Sequence, residues 1–297
     1  GAAGVVAERS VAVPPETALA VHSDARRLAG MAADRLAEHP TEALPLVAVT
    51  GTNGKTTVAW LISALFRPGG FLGTLGWGRT DALAPAGETT PDAVTLQTRL
   101  AHMREAGIAG VAMEASSHGL AQDRLAGARV RGAVWTSLSP EHLDYHGDMA
   151  AYRAAKRRLL ERPEMDFAVV NAEDPAVATF AGAVAPGVAL WRFGLDAGDV
   201  HAEELTCTAD GIELVAASPR GPVRVTSPLA GRVNAANLLA AIATGLALGL
   251  SAEAVGERLS AAPPVPGRME PVGRTGRGAR LWVDYAHTPD ALARTLT

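Results

Sequence analysis

The stretch Val47–Val58, VAVTGTNGKTTV, constrains what this chain can fold into more than any other. Its first apolar residues read as a buried strand. Gly51 and Gly54 allow a sharp backbone turn, and Lys55, Thr56 and Thr57 open a helix whose first amides point at whatever sits above them. Gly51, Thr52, Asn53, Gly54, Lys55, Thr56 and Thr57 together make a phosphate cradle. Lys55 is placed to reach the outer phosphates of a triphosphate, and the Thr56 hydroxyl to ligate Mg²⁺, because a hard cation takes oxygen ligands. The general phosphate-loop pattern wants glycine at position 49, where this chain has valine, so that pattern is met only in part. An ordinary glycine turn is the plainer alternative, and Gly-Lys-Thr-Thr at a strand-to-helix junction argues against it.

With 297 residues and 48% hydrophobic content, the chain can bury a sizeable core in two domains, or in one large domain with an appendage. A net charge of −4 with interspersed signs leaves no basic face for nucleic acid. No apolar run approaches the roughly 20 residues that span a bilayer, so no membrane partner is expected either. The single cysteine, Cys207, excludes an internal disulfide and a cysteine-based zinc site and fits a reducing compartment. No signal peptide is visible after Gly1, and a cytoplasmic location is expected.

The spacing predicts strands alternating with helices, and the polar motifs fall after strands. GAAGVVAE at the start reads as a strand end, and Ala18–Ala37 as a helix with Ser23 and Asp24 as candidate caps. Thr56–Phe66 reads as a helix stopped by Arg67-Pro68-Gly69-Gly70, and Phe71–Trp77 as the next strand. In Glu88-Thr89-Thr90-Pro91-Asp92, Pro91 starts a helix and Asp92 sits where the helix dipole favours an anion. The strand Gly110–Ala115 ends on Glu114, a carboxylate at the strand tip where open α/β sheets bind ligand and a candidate for the Mg²⁺ that bridges phosphates. Without a partner, a buried carboxylate would be costly.

Val130–Thr136 leads into SPEHLDYHGD (139–148), three carboxylates and two histidines, with His142 the best imidazole for a second metal. On the helix Met149–Arg162, Tyr152 and Lys156 share a face, while Arg157 and Arg158 would make an ordinary basic face in water. Phe167–Asn171 ends in a turn, Glu173-Asp174-Pro175. Residues 188–227 read as a small antiparallel sheet flanking the main one. Asn234 and Asn237 open a long apolar helix where amides can bond a base or ribose. Pro263-Pro264-Val265-Pro266-Gly267 reads as a stiff linker.

GTNGKTT, TTPD, SSHGL with Gln122 and Arg124, HLDYHGD, the Y-x-x-x-K of Tyr152 and Lys156, and the final GRME and LWVDYAH resemble, in this order, the motifs of the Mur ligases. These are ATP-dependent amide-forming enzymes of cell-wall precursor synthesis, and the wording favours their MurE branch. The folylpolyglutamate synthetases share the loop but fit the SSHGL and HLDYHGD stretches poorly. Two positions depart from the usual pattern: Glu88 stands where asparagine is common and Gly119 where alanine is. The connection before Phe71 is also shorter than the family's.

The resemblance implies an α/β fold with a mostly parallel sheet. In it, residues 1–44 are the tail of an N-terminal UDP-binding domain, 45–266 the ATP-binding domain, and 267–297 the start of a Rossmann-like C-terminal domain. ATP and Mg²⁺ are the implied cofactors, a UDP-MurNAc-dipeptide and a diamino acid, diaminopimelate or lysine, the substrates, and a monomer the expected state. Thr89 and Thr90 would touch the muramyl-peptide, Ser116 and Gln122 would offer it neutral hydrogen bonds, and Arg124 would fork onto its carboxylate or phosphate. His118 would serve there or as a satisfied structural histidine. Lys55, His142 and Lys156 would carry the chemistry. Thr56, Glu114, His142 and Lys156, the last as a carbamate, would hold metal. Asn234, Asn237, Arg268 and Asp284 would close on ATP, with His287 just behind. A related ligase of a secondary pathway and an ATP-binding module without turnover are the other readings.

Overall fold

A computed structural model describes residues 3–178, 180–286 and 292–293 of the chain. Two short parallel strands, β1 (Gly4–Ala7) and β2 (Ala18–Val21), precede helices α1 (Ala25–Leu36) and α2 (Pro40–Ala43). The helix expected over Ala18–Ala37 is therefore split. Its first residues pair with β1, and Asp24 sits at the N-cap without a side-chain capping bond.

Then comes β3 (Leu46–Thr50), the strand before the Gly51–Gly54 turn, followed by α3 (Lys55–Ser63), β4 (Gly69–Gly73), β5 (Gly76–Arg79) and β6 (Ala82–Ala84). The single strand expected over Phe71–Trp77 is an antiparallel pair, because the chain reverses at Gly73–Gly76, where Gly76 has φ +144°. Next are α4 (Ala93–Glu105), β7 (Gly110–Glu114), α5 (Ser117–Ala121), β8 (Gly132–Trp135), α6 (Leu143–His146), α7 (Met149–Arg157), β9 (Phe167–Asn171) and α8 (Pro175–Ala178). The remainder holds β10 (Ala189–Gly194), β11 (Val200–Thr208), β12 (Gly211–Ala217), β13 (Val223–Ser227), α9 (Arg232–Ala247), α10 (Ala252–Ser260) and a hairpin of β14 (Glu270–Arg274) and β15 (Arg280–Val283).

Eleven strands form one sheet in the order β13-β12-β11-β10-β9-β8-β3-β7-β4-β5-β6. From β4 to β10 across the centre, neighbours run parallel, and both edges finish antiparallel. The antiparallel strands expected over residues 188–227 are thus hydrogen-bonded onto the main sheet through β11. Ala189–Gly194, expected among them, instead pairs parallel with β9.

The sheet is covered on both faces, and alternation along β3 assigns them. Val47 and Val49 face a core built with α3 and α9, while Leu46 and Ala48 face one built with α4. All five residues of β3 are buried, as a central parallel strand requires. The proline-rich 263–267 stretch packs onto this body: Val265 is buried and the Trp60 indole donates to the Pro263 carbonyl at 3.1 Å. No described helix is long and apolar enough to cross a membrane.

Candidate active site

The loops after β3, β7 and β8 meet at the carboxyl ends of the parallel strands, where ligands bind in open α/β sheets. Between them lies a cavity of about 330 Å³ lined by the 52–57 loop together with Glu114, Ser116, His142, Lys156, Asn234, Asn237, Arg268 and Asp284, among others. Residues spread over some 230 positions of the sequence therefore line one cavity.

The loop geometry requires its glycines. Gly51 and Gly54 have φ +146° and +84°. A Cβ on Gly51 would lie 1.9 Å from Thr136 Oγ1, and one on Gly54 would lie 2.7 Å from Asn237 Oδ1. The neighbouring loop after β8 holds the turn in place. Thr52 N donates to the Ser137 carbonyl at 2.7 Å and Asn53 N to Ser137 Oγ at 3.2 Å, while Thr52 Oγ1 accepts from Ser139 N at 2.9 Å. That loop is braced in turn by Asn171, whose amide donates to the Thr136 carbonyl, and by Asp174, which accepts from Leu138 N. Sequence reading took Asn171 and Asp174 as a turn and missed Thr136 and Ser137 altogether, since hydroxyl residues after a strand carry no signal of their own.

Two lysines sit against this turn. Lys55 Nζ donates to the carbonyls of Gly51 at 2.9 Å and Thr52 at 2.8 Å, so its ammonium lies curled over its own loop. Lys156 is 1% exposed, donates to the Gly51 carbonyl at 2.7 Å and lies over the Tyr152 ring. Burial, reinforced by the neighbouring Lys55 and opposed by Glu141, holds the Lys156 amine well below the ordinary lysine range. Burial also lowers Lys55, with Glu114 and Glu141 pulling it back up and Arg268 pushing it further down. The basic surface face that Arg157 and Arg158 suggested for Lys156 is not where its side chain lies.

Glu114 is 1% exposed, and its hydrogen-bond partners are all neutral: Thr56 Oγ1 at 3.0 Å, Thr74 N at 2.8 Å and Thr74 Oγ1 at 3.4 Å. A buried carboxylate solvated only by hydroxyl and amide groups, with a second hydroxyl oxygen beside it, is a donor set suited to a hard divalent cation. His142 lines the same cavity in a left-handed conformation, with Nε2 3.7 Å from Glu141 Oε2. Among the described residues, no three His, Cys, Asp or Glu side chains cluster as a metal group, so hydroxyl and lysine would have to complete the set. Glu141 also accepts from the Tyr152 hydroxyl, which bonds Thr52 Oγ1 at 3.0 Å. Burial pushes that phenol well above its usual range, so it stays protonated.

On the opposite side, Thr89 and Ser116 line the cavity. Thr90 lies behind them: its hydroxyl donates to the Glu114 carbonyl at 2.8 Å and accepts from Ser116 N at 2.9 Å, fixing the segment before α4 to the end of β7. Asp92 caps α4 by accepting from the amides of Val94 and Thr95, each at 3.0 Å. Arg124 and Gln122 stand outside the cavity wall and bond each other, and Arg124 is also paired with Glu88. His118 packs its ring 4.1 Å from that of Tyr145 and 4.8 Å from that of His142, and burial keeps it below the usual imidazole range.

A further wall comes from α9 and the residues flanking the final hairpin. Asn237 donates to Asn234 Oδ1 at 3.0 Å, and Asn234 to the Ala230 carbonyl at 2.8 Å, so both amides are oriented at the helix start. Arg268 reaches across to Thr56 Oγ1 at 3.1 Å with its guanidinium 4.6 Å from the Tyr285 ring centroid. Asp284 accepts from Met269 N and Ala286 N and so shapes this segment. Tyr285, within the LWVDYAH motif, thus supplies the ring that faces the Arg268 guanidinium. His287 lies outside the described residues.

The family described as the Mur ligase middle domain matches residues 49–245. A UDP-N-acetylmuramoyl-L-alanyl-D-glutamate--2,6-diaminopimelate ligase from Alkalilimnicola ehrlichii is 43% identical, over 97% of this chain and 59% of its own. Its counterpart in Geobacter metallireducens is 40% identical, over 100% of this chain and 60% of its own. A solved structure of a ligase with that name superposes with a TM-score of 0.84 at 32% identity, covering 99% of this chain and 61% of the other. A Mycobacterium tuberculosis folylpolyglutamate synthase complexed with ADP shares the fold, with a TM-score of 0.72 at 20% identity. The chain spans about three fifths of the length of the curated relatives it matches.

Proposed function

The chain belongs to the Mur ligase family, and from that premise we propose that it is the ATP-binding part of an enzyme joining 2,6-diaminopimelate to UDP-MurNAc-L-Ala-D-Glu, with ATP as the energy source. Residues 45–266 form the catalytic domain in this reading, 1–44 the tail of a UDP-binding domain, and 267–297 the start of a domain for the incoming amino acid. The enzyme acts in the cytoplasm on soluble, nucleotide-linked substrates. The names of the relatives favour diaminopimelate over lysine.

The observation that carries the proposal is the convergence of Lys55, Lys156, Glu114 and His142 on one cavity floored by a glycine-dependent loop. In the reaction the D-glutamyl carboxylate oxygen attacks the γ-phosphorus of ATP, ADP leaves, and the resulting acyl phosphate is attacked by the amine. A tetrahedral intermediate then expels inorganic phosphate. Residues 51–57 would present amides to the phosphates, and Lys55, released from the Gly51 and Thr52 carbonyls, would offset the charge developing on the transferred group. Arg268, already on Thr56, would close over the same phosphates, while Asn234 and Asn237 would hold the nucleoside. Thr89 and Ser116 would align the muramyl-peptide carboxylate, with Arg124 and Gln122 behind them.

Mg²⁺ held by Thr56 and Glu114, and a second ion by His142, would neutralise phosphate charge. Lys156 would join the second site once its amine has taken up CO₂ to give an anionic carbamate and a released proton. The low amine pKa supports that step, since only the neutral amine is nucleophilic. ADP release by the full natural protein tests the proposal. It should require the muramyl-dipeptide and diaminopimelate together. Turnover with a folate acceptor instead, or none with the dipeptide, contradicts it.

A further inference from the structure

Arg124 is almost fully committed within the protein. Its Nε and Nη2 both donate to Gln122 Oε1, at 3.0 and 2.8 Å. Nη1 donates to the Thr90 carbonyl at 2.6 Å and to Glu88 Oε2. A guanidinium has five N–H donors, so these bonds leave one. Recognition of a carboxylate or phosphate by a fork needs two parallel N–H groups, so an incoming anion must first displace a partner.

The partners differ in how firmly they are held. Gln122 is tied on its other side to the Tyr145 hydroxyl at 2.9 Å, and the Thr90 carbonyl belongs to a segment whose side-chain hydroxyl joins Glu114 and Ser116. Glu88 is the exception. Its side chain is 61% exposed against 20% for Arg124, so its carboxylate can swing back into water with little loss of packing. It is also an anion, the same chemical class as the substrate group that the functional reading above assigns to Arg124.

We propose that Glu88 is an internal competitor that sets the affinity of Arg124 for the acidic substrate: it occupies the guanidinium until the substrate's anionic group displaces it. This rests on the functional reading above. Two consequences follow from the charge balance. With Glu88 present, the pair is neutral, and binding of an anion there depends only weakly on ionic strength. With a neutral side chain at 88, the site carries a full positive charge, so the substrate binds more tightly and salt weakens it more steeply.

The test is steady-state kinetics of the full natural protein and its Glu88→Gln variant with UDP-MurNAc-L-Ala-D-Glu as the varied substrate, ATP and diaminopimelate being saturating, at low and high potassium chloride. An exposed ion pair of this kind supports a change of about two- to fivefold. The KM for the dipeptide should fall by that factor in Glu88→Gln at low salt, with the effect confined to KM, and the gap should close at high salt. Glu88→Asn, shorter and equally neutral, should behave the same way. A KM that is unchanged or raised in both variants while the parent turns over overturns the inference alone, because Glu88 would then be orienting Arg124. A parent that releases no ADP with the dipeptide and diaminopimelate together overturns the functional reading and this inference with it.

Discussion

The two ends of the cavity are built differently. One end, residues 51–57 with Glu114 and Lys156, is buried or half-buried and tied to the loop after β8 by backbone and hydroxyl bonds. The far wall, residues 267–286, is a two-stranded hairpin with mostly exposed residues, joined to the loop by the Arg268 to Thr56 bond. In the proposed reaction, groups that meet developing charge without reorganising belong on the rigid side, whereas a wall that would admit and release nucleotide can rest on a few exchangeable polar contacts. The Glu88–Arg124 pair belongs to this second kind.

If the rigid end carries the chemistry, the largest effect follows from Lys156→Met, which keeps the buried volume and removes the amine. Turnover should fall by about 10²–10³ or more, read as ADP release, whereas nucleotide binding should survive. The same variant changes how stability depends on pH. The native amine titrates well below its unfolded range near 10.4, so between those two values the unfolded chain binds the extra proton and stability rises with pH. Lys55 contributes in the same direction. Tyr152, whose native pKa is raised, acts the other way above about pH 10. Chemical denaturation from pH 6 to 9 should therefore show stability climbing in the parent and climbing less in Lys156→Met. An equal slope in both would place the ammonium in solvent.

Gly54→Ala tests the rigidity itself and ranks next. The left-handed φ and the 2.7 Å approach to Asn237 Oδ1 should together cost about 1–3 kcal/mol in thermal or denaturant unfolding and weaken ATP binding. Arg268→Ala is the smallest in stability and the sharpest as a contrast. On the exchangeable wall it should change stability by less than about 0.5 kcal/mol yet raise the KM for ATP about tenfold, as expected for a charged contact to phosphate. A large loss of stability would mean that the hairpin is part of the core after all.

Much of this division was legible in the sequence because the rigid end is written in local patterns. An apolar run, two glycines and Lys-Thr-Thr fix a strand, a turn and a helix within twelve residues, and Glu114 announces itself as a carboxylate ending a buried strand. What escaped was pairing across the chain. Nothing near Thr136 or Ser137 says that they clasp the phosphate loop, because that contact exists only once β8 lies beside β3. The reversal at Gly73–Gly76 was lost inside a run that reads as one strand, and Ala18–Val21 was absorbed into the helix after it, since short apolar segments satisfy either period. The Glu88–Arg124 pair, 36 residues apart, could not be read from spacing at all.

The account stands on carboxylate activation in this cavity, and isotope transfer measures that most directly. With ¹⁸O in the D-glutamyl carboxylate of UDP-MurNAc-L-Ala-D-Glu, attack of that oxygen on ATP and later expulsion of phosphate carries one labelled oxygen into the inorganic phosphate. Mass analysis should find one ¹⁸O in the phosphate for each amide formed. Phosphate without label, released while ADP accumulates, would mean that water is the acceptor and would contradict the account.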